Sequence, residues 1–264
     1  MFFKSSVFRC LSLALLSLTT VTIFPSLVRA QSYTKIADTT TSTPAGGTFN
    51  SLGGFPSLSG SNVVFGGGYT GGTGTTGLFA NLGAGLTAIA TNGSAQVPGG
   101  GTFSSFSSSP VVSGSNVAFQ SAYTGGTGSS GIFAKLGGVL TKIATNSGAQ
   151  VPGGGTFGTL GNASLSGSTA AFFGSYTGGT GTSGIFTGSG GSLTKVISDG
   201  DTLFGSTVTS VSFGKTGLDG SGVAFQYTLA DGRSGIASTA IPEPGTLALL
   251  ALGGALVLVK RRRK

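Results

Sequence analysis

The sequence predicts an all-β fold, and three observations support the prediction. Short runs rich in Val, Ile and Phe are separated by Gly, Ser and Asn, the pattern of strands joined by hairpin turns. Between Gln31 and Ala240 no segment repeats its apolar residues at the helical period, so helices are not expected there. The third observation is an internal repeat. "TKIA" or a close variant begins at Thr34, Thr87, Thr141 and Thr194, "GTF" begins at Gly47, Gly101 and Gly155, and tyrosine recurs at Tyr69, Tyr123, Tyr176 and Tyr227. All three markers advance by steps of 51–54 residues.

Each unit reads as four short strands. In the second unit "SPVVS" (Ser109 to Ser113) ends at the turn "GSN", and "NVAFQSAY" follows with Val117, Phe119 and Tyr123 on one face by period-two alternation. "GIFAKL" and "LTKIAT" supply the other two. A period near 53 lies close to the roughly 40–50 residues of a four-stranded propeller blade. The fourth unit offers only "TSVSF", "SGVAFQY" and "SGIAS", while the chain opens with an orphan strand, Tyr33 to Ala37. Missing and surplus strands match, so residues 31–240 are expected to form a four-bladed β-propeller-like domain closed by its N-terminal strand, which would also remove an exposed edge. The rival reading is an open or solenoidal stack of sheets.

Composition narrows the class. Glycine supplies 51 of 264 residues and only 8% are charged, but 38% are hydrophobic and 19 are Phe, more aromatic content than a disordered chain usually has. Glycine does not recur at every third position, which excludes collagen. Of the 14 basic residues, Lys4, Arg9, Arg29, Lys260, Arg261, Arg262, Arg263 and Lys264 lie at the two ends. They equal the formal charge of +8, so the segment between them is neutral. It offers no basic footprint for nucleic acid.

Both ends read as addresses. Residues 1–30 place Lys4 and Arg9 before an apolar run from Leu11 to Leu18, with small residues at Val28 and Ala30. That is the form of a secretory signal peptide cleaved after Ala30, with an uncleaved anchor as the alternative. Beyond Cys10 the chain has no cysteine, so the exported part has no disulfides even though its compartment would permit them. Residues 241–264 carry Pro242-Glu243-Pro244, an apolar stretch from Thr246 to Val259, and five terminal cations. The apolar stretch is expected to form a short transmembrane helix, although it falls below the roughly 20 residues of a comfortable span. The cations would stay on the cytoplasmic side. These three parts in this order resemble the PEP-CTERM sorting signal of Gram-negative bacteria. The resemblance covers about the last 24 residues. It implies recognition by an exosortase, a membrane-embedded cysteine transpeptidase-like enzyme, with Pro242, Glu243, Pro244, Arg261, Arg262 and Arg263 as the sorting signal. It further implies a transient membrane anchor and delivery to the cell envelope, the surface or an extracellular matrix. The body more loosely resembles glycine-rich repeat proteins of bacterial surfaces, which implies no activity.

Catalytic chemistry finds little material. "GGTGTTG", "GGTGSSG" and "GGTGTSG" each fit the dinucleotide fingerprint G-x-G-x-x-G, but a strand follows where that fingerprint needs a helix. Gly and Thr between two strands are hairpin material. In the fourth unit "YTLADG" makes a connection two residues shorter, with Asp231-Gly232 as its expected tip. The chain has no histidine, which removes the usual general base and the commonest metal ligand. Carboxylate pairs for hydrolysis could come only from Asp38, Asp199, Asp201, Asp219 and Asp231. Four of the five sit in turn or blade-to-blade contexts, and Asp199, Asp219 and Asp231 precede glycine. Asp199 and Asp201, two apart in "SDGDTLFG", are a weak calcium candidate without the terminal glutamate of a full calcium loop. Lys35, Lys142 and Lys195 occupy equivalent places. Lys195 with its neighbours could meet an acidic polysaccharide, and a solvated outer strand explains all three as well. No catalytic residue and no cofactor are expected. The leading reading is an exported structural protein of the cell surface or matrix. The alternative is an exopolysaccharide-binding module that uses Tyr69, Tyr123 and Tyr176 as stacking platforms.

Overall fold

The structure is a computed structural model that describes residues 32–93, 96–148 and 150–239. Every regular element among them is a strand, and the strands form four antiparallel sheets, one per repeat. The first sheet runs in chain order through β1 (Thr48–Ser59), β2 (Asn62–Thr70), β3 (Thr76–Asn81) and β4 (Leu86–Thr91). In the second, β5 (Thr102–Phe106) and β6 (Val111–Ser113) both pair with β7 (Asn116–Thr124), which is followed by β8 (Ser130–Leu136) and β9 (Val139–Thr145). The third contains β10 (Thr156–Ser166), β11 (Thr169–Thr177), β12 (Ser183–Gly188) and β13 (Thr194–Ser198). The fourth is built on β14 (Thr202–Leu203), β15 (Ser206–Ser212), β16 (Leu218–Asp219), β17 (Gly222–Leu229) and β18 (Ser234–Ser238). The "GTF" marker thus opens the first strand of each of the first three sheets, at Thr48, Thr102 and Thr156, which sequence periodicity alone does not separate from the loop before it.

The alternation within each strand fixes how the sheets stack. On β7, Val117, Phe119 and Tyr123 join a buried cluster with Val64, Leu78 and Ile89 of the first sheet. Ala118, between them, turns the other way and packs with Ile132, Ala134 and the third sheet's Phe157, Phe172 and Phe186. Successive side chains point to opposite faces, so a strand that is apolar at every position belongs between two neighbours. A third cluster joins Ala171, Ile185 and Ile197 of the third sheet to Val208, Val223 and Phe225 of the fourth. Phe103, Phe119 and Phe133 meet with ring centroids 5.0–5.9 Å apart, and Phe157, Phe172 and Phe186 repeat the arrangement at 5.0–5.9 Å. Edge-to-face and offset aromatic contacts of this kind add to plain area burial. Among the described residues no buried side-chain N or O atom lacks a hydrogen-bond partner.

The four expected repeats are present, but the expected closure is not made. Tyr33–Ala37 forms no strand, and among the described residues β18 pairs with β17 alone. Ile36 and Ala37 pack instead on Phe49, Phe65 and Phe79 of the first sheet. The face of the fourth sheet turned away from the third carries Ser210, Ser212, Ala224, Gln226, Ile236 and Ser238, all exposed. Among the described residues nothing pairs with the outer edge of β18, which the orphan segment was expected to meet.

Candidate functional site

The repeated Gly-Thr corner is the most conspicuous local feature, and the structure shows how it is built. Each copy leaves one strand and enters another: β2 to β3, β7 to β8, β11 to β12. The first glycine of each corner has positive φ, at 82° for Gly71, 80° for Gly125 and 83° for Gly178, a conformation that costs glycine little. The tyrosine before each corner turns inward. Tyr69, Tyr123 and Tyr176 are buried, each edge-on to a phenylalanine (Phe79, Phe133, Phe186) at 5.8–5.9 Å. Their hydroxyls donate to the carbonyls of Thr73, Thr127 and Thr180 at 2.6, 2.6 and 2.7 Å. These three rings are therefore core wedges that tie the corner down, and offer no open face on which a sugar could stack. A buried tyrosine needs a partner for its hydroxyl, and the corner carbonyl supplies it. Tyr227 has no such corner and packs against Phe204 at 5.6 Å, while Asp231-Gly232 makes the tight tip, with Gly232 at φ 88°.

A second side chain closes each corner from the far side. Asn92 Oδ1 accepts from the backbone N–H groups of Thr75 and Thr76 at 2.8 and 3.0 Å. Asn146 does the same for Ser129 and Ser130, at 2.8 and 3.0 Å. In the third repeat the position is Asp199, whose Oδ1 accepts from Thr182 and Ser183 at 2.8 and 2.7 Å and whose Oδ2 accepts from the Thr182 hydroxyl at 2.6 Å. Two residues on, Asp201 matches a different pair. Its Oδ2 accepts from Ser198 N–H at 2.8 Å, as Gln96 does from Thr91 at 3.0 Å and Gln150 from Thr145 at 2.9 Å. Asp201 Oδ1 takes the Lys195 ammonium at 2.7 Å. The two neighbouring carboxylates thus point to two separate turns and share no ion-binding space. Among the described residues no three acidic, cysteine or histidine side chains converge as metal ligands would.

The electrostatics follow from these bonds. Burial raises the Asp199 carboxyl, but the Thr182 hydroxyl and the Ser183 and Thr182 N–H groups outweigh it and leave the group below its ordinary value. Burial acts the same way on Asp201, and the Lys195 ammonium with the Ser198 N–H and hydroxyl overcomes it. Asp38 is held well below the usual range by Lys35, Thr40 and Thr41, and Asp231 is lowered by Arg233. Carboxylates bound in this way favour the ionised form, the opposite of what a general acid requires. A lowered folded-state pKa contributes stability above the unfolded value of about 3.9 and loses it as pH falls through the folded one. Asp199→Asn should keep the cap, as Asn92 and Asn146 do, and flatten the loss of stability below about pH 4. Asp199→Ala should cost about 1–3 kcal/mol at neutral pH. Urea titrations of both variants from neutral to acid pH check this, and equal stability of the two would remove the capping role.

Sequence reasoning passed over Asn92, Asn146, Gln96 and Gln150. The signal was the repeat itself: Asn92, Asn146 and Asp199 advance by 54 and 53 residues. Pro242, Glu243, Pro244, Arg261, Arg262 and Arg263 lie outside the described residues, as do the expected signal peptide and transmembrane helix.

What the described residues define is a glycine-rich, all-β repeat body whose polar side chains serve its own turns. Residues 240–264 match the PEP-CTERM protein-sorting motif, so the chain is a PEP-CTERM protein, and that motif implies export sorted by an exosortase. Residues 27–222 match the model of a family of unknown function, DUF7453, and the chain belongs to that family. Neither match is a catalytic family. A search among curated proteins finds no match.

Proposed function

We propose that this chain is an exported structural protein of the cell surface or extracellular matrix, without catalytic activity, held briefly in the membrane by its C-terminal tail. The observation that supports the reading most is the sorting motif at 240–264, placed after a body with no histidine and five aspartates before the motif. Residues 1–30 would direct export and be removed after Ala30. Thr246 to Val259 would halt transfer, and Pro242-Glu243-Pro244 would be what the exosortase reads. The body fits this role. Several of its few charges form loop ion pairs, such as Lys35–Asp38 at 2.9 Å and Lys195–Asp201 at 2.7 Å. The buried tyrosines leave the sugar-binding alternative without its platforms.

The test is a sorting assay in a host that carries an exosortase. The chain should appear at the surface in a form shortened at its C-terminal end. Replacing Pro242, Glu243 and Pro244 together with alanine should leave a full-length tail in the inner-membrane fraction. If the triple variant is trimmed and delivered like the parent, the proposed recognition residues are wrong.

A further inference from the structure

Three contacts between successive sheets repeat one design, and the two end sheets carry the unmatched halves of a fourth. On the donating side stands the residue after the glycine that opens the third strand of each repeat: Leu78, Ile132 and Ile185. All three are 0% exposed in the cluster shared with the next sheet. Their counterpart in the fourth sheet is Ile236, 69% exposed. On the receiving side the register marks a second set. Val112 opposite Val117, Leu165 opposite Ala170 and Leu218 opposite Val223 are 7–9% exposed. The counterpart in the first sheet, Leu58 opposite Val63, is 69% exposed.

A polar latch repeats beside them. The hydroxyls of Ser59, Ser113 and Ser166 accept from the N–H groups of Gly114, Gly167 and Gly220 in the following sheet, at 3.0, 2.9 and 2.9 Å. Asp219 holds the serine position in the fourth sheet, and Gly60 holds the glycine position in the first. Among the described residues Gly60 N–H has no such acceptor. A carboxylate oxygen accepts from a backbone N–H at least as well as a hydroxyl does.

We propose that the fourth sheet of the same chain docks on the first, Ile236 entering the cleft beside Leu52 and Phe65 and Asp219 accepting from Gly60 N–H, so that the four sheets close into a ring. This goes beyond the structural role above and does not depend on it. The cleft is ready: about 360 Å³, bounded by Ile36, Ala37, Leu52, Pro56, Val63 and Phe65. Ile36 and Ala37 already lie on Phe49, Phe65 and Phe79 as Ile89 and Ala90 lie with Phe103, Phe119 and Phe133. They hold the place of the outer strand that β18 lacks. The occupant is the chain's own sheet because the first sheet and the segment between β15 and β16 already meet, Lys215 Nζ sitting 5.6 Å from the Phe55 ring centroid. That proximity gives the intramolecular partner the advantage in effective concentration over a second copy. Closure would bury apolar surface that three internal precedents bury.

The experiment is thiol labelling of the full chain with Cys10 replaced by serine, so that only an introduced cysteine reacts. Leu58→Cys and Ile236→Cys are read against Val139→Cys, at a position 66% exposed. Closure predicts that both react more slowly than Val139→Cys, on the order of tenfold or more, in a species that light scattering shows to be monomeric. Asp219→Ala should restore fast labelling at both positions, and Asp219→Ser, which supplies the hydroxyl of the other repeats, should keep them protected. Fast labelling in the parent overturns the proposal. So does protection confined to an oligomer, which would assign the face to a second copy.

Discussion

Replacing Phe133 with alanine should destabilise the body by about 3–5 kcal/mol, one of the two largest effects expected of any single substitution. Phe133 is 0% exposed and meets Phe103 at 5.0 Å edge-on, Phe119 at 5.9 Å stacked and Tyr123 at 5.8 Å edge-on. Removing the ring takes three aromatic contacts at once and opens a void beneath the corner that Tyr123 anchors. The surrounding strands are fixed by ladders on both sides, so collapse into the void is hindered and the cost belongs at the upper end of the range. Denaturant unfolding read by the midpoint and slope checks it. A loss below about 1 kcal/mol would mean that the phenylalanine clusters are not what joins the sheets.

Because each sheet touches chiefly its neighbours, the same substitution reads out cooperativity. In a repeat array stability is a sum of unit and nearest-neighbour terms, and Phe133 belongs to the cluster between the first and second sheets. Phe186→Ala, in the cluster between the second and third, should be matched in size. A broadened transition in either variant would show the array coming apart at the damaged contact, whereas a single sharp shift would show four sheets unfolding as one.

The strands were legible in the sequence because alternation is a local property. "NVAFQSAY" declares its two faces without reference to any partner, and β7 shows them. The Asp231-Gly232 tip was legible for the same reason. Closure by Tyr33–Ala37 was not, because strand matching counts partners and does not say whether the last sheet is turned to meet them. The tyrosines show a different gap. Tyr123 shares a face with Val117 and Phe119, which already marks it as inward, but an aromatic beside a glycine-rich corner looks equally like a platform until the Thr127 carbonyl is seen to take its hydroxyl at 2.6 Å. Asp199 and Asp201 read as a pair because they are adjacent in sequence. Their true equivalents are Asn92 and Gln96, distant in the chain and alike in the turns they cap. The period held that information at single positions, where one sequence gives only three or four samples.

Gly101→Ala should cost about 2–5 kcal/mol, and it tests why the corner hexapeptide recurs. Gly101 has φ 108°, and a Cβ there would stand 2.6 Å from the Thr124 carbonyl oxygen and 3.2 Å from Gly126 N. The loop that enters the second sheet therefore lies directly on that sheet's own Gly-Thr corner, backbone against backbone. Gly155 repeats the geometry on Thr177 at 2.6 Å, and Gly47 presses on Thr70 and Gly71 in the first sheet. In the fourth sheet the "GTF" entry and the "YTGGTG" corner are both missing, and Arg233 Nη2 instead donates to Phe204 O at 3.0 Å. Entry and corner thus come and go together, as two halves of one contact must. Gly100→Ala separates the causes. Its φ of 104° imposes similar backbone strain, but nothing lies within 4 Å of its Cβ, so it should lose only the strain, about 1–3 kcal/mol. Gly155→Ala should track Gly101→Ala. Equal losses at Gly100 and Gly101 would reduce the corner to an ordinary turn, whereas a larger loss at Gly101 makes the hexapeptide the seat on which each incoming loop rests.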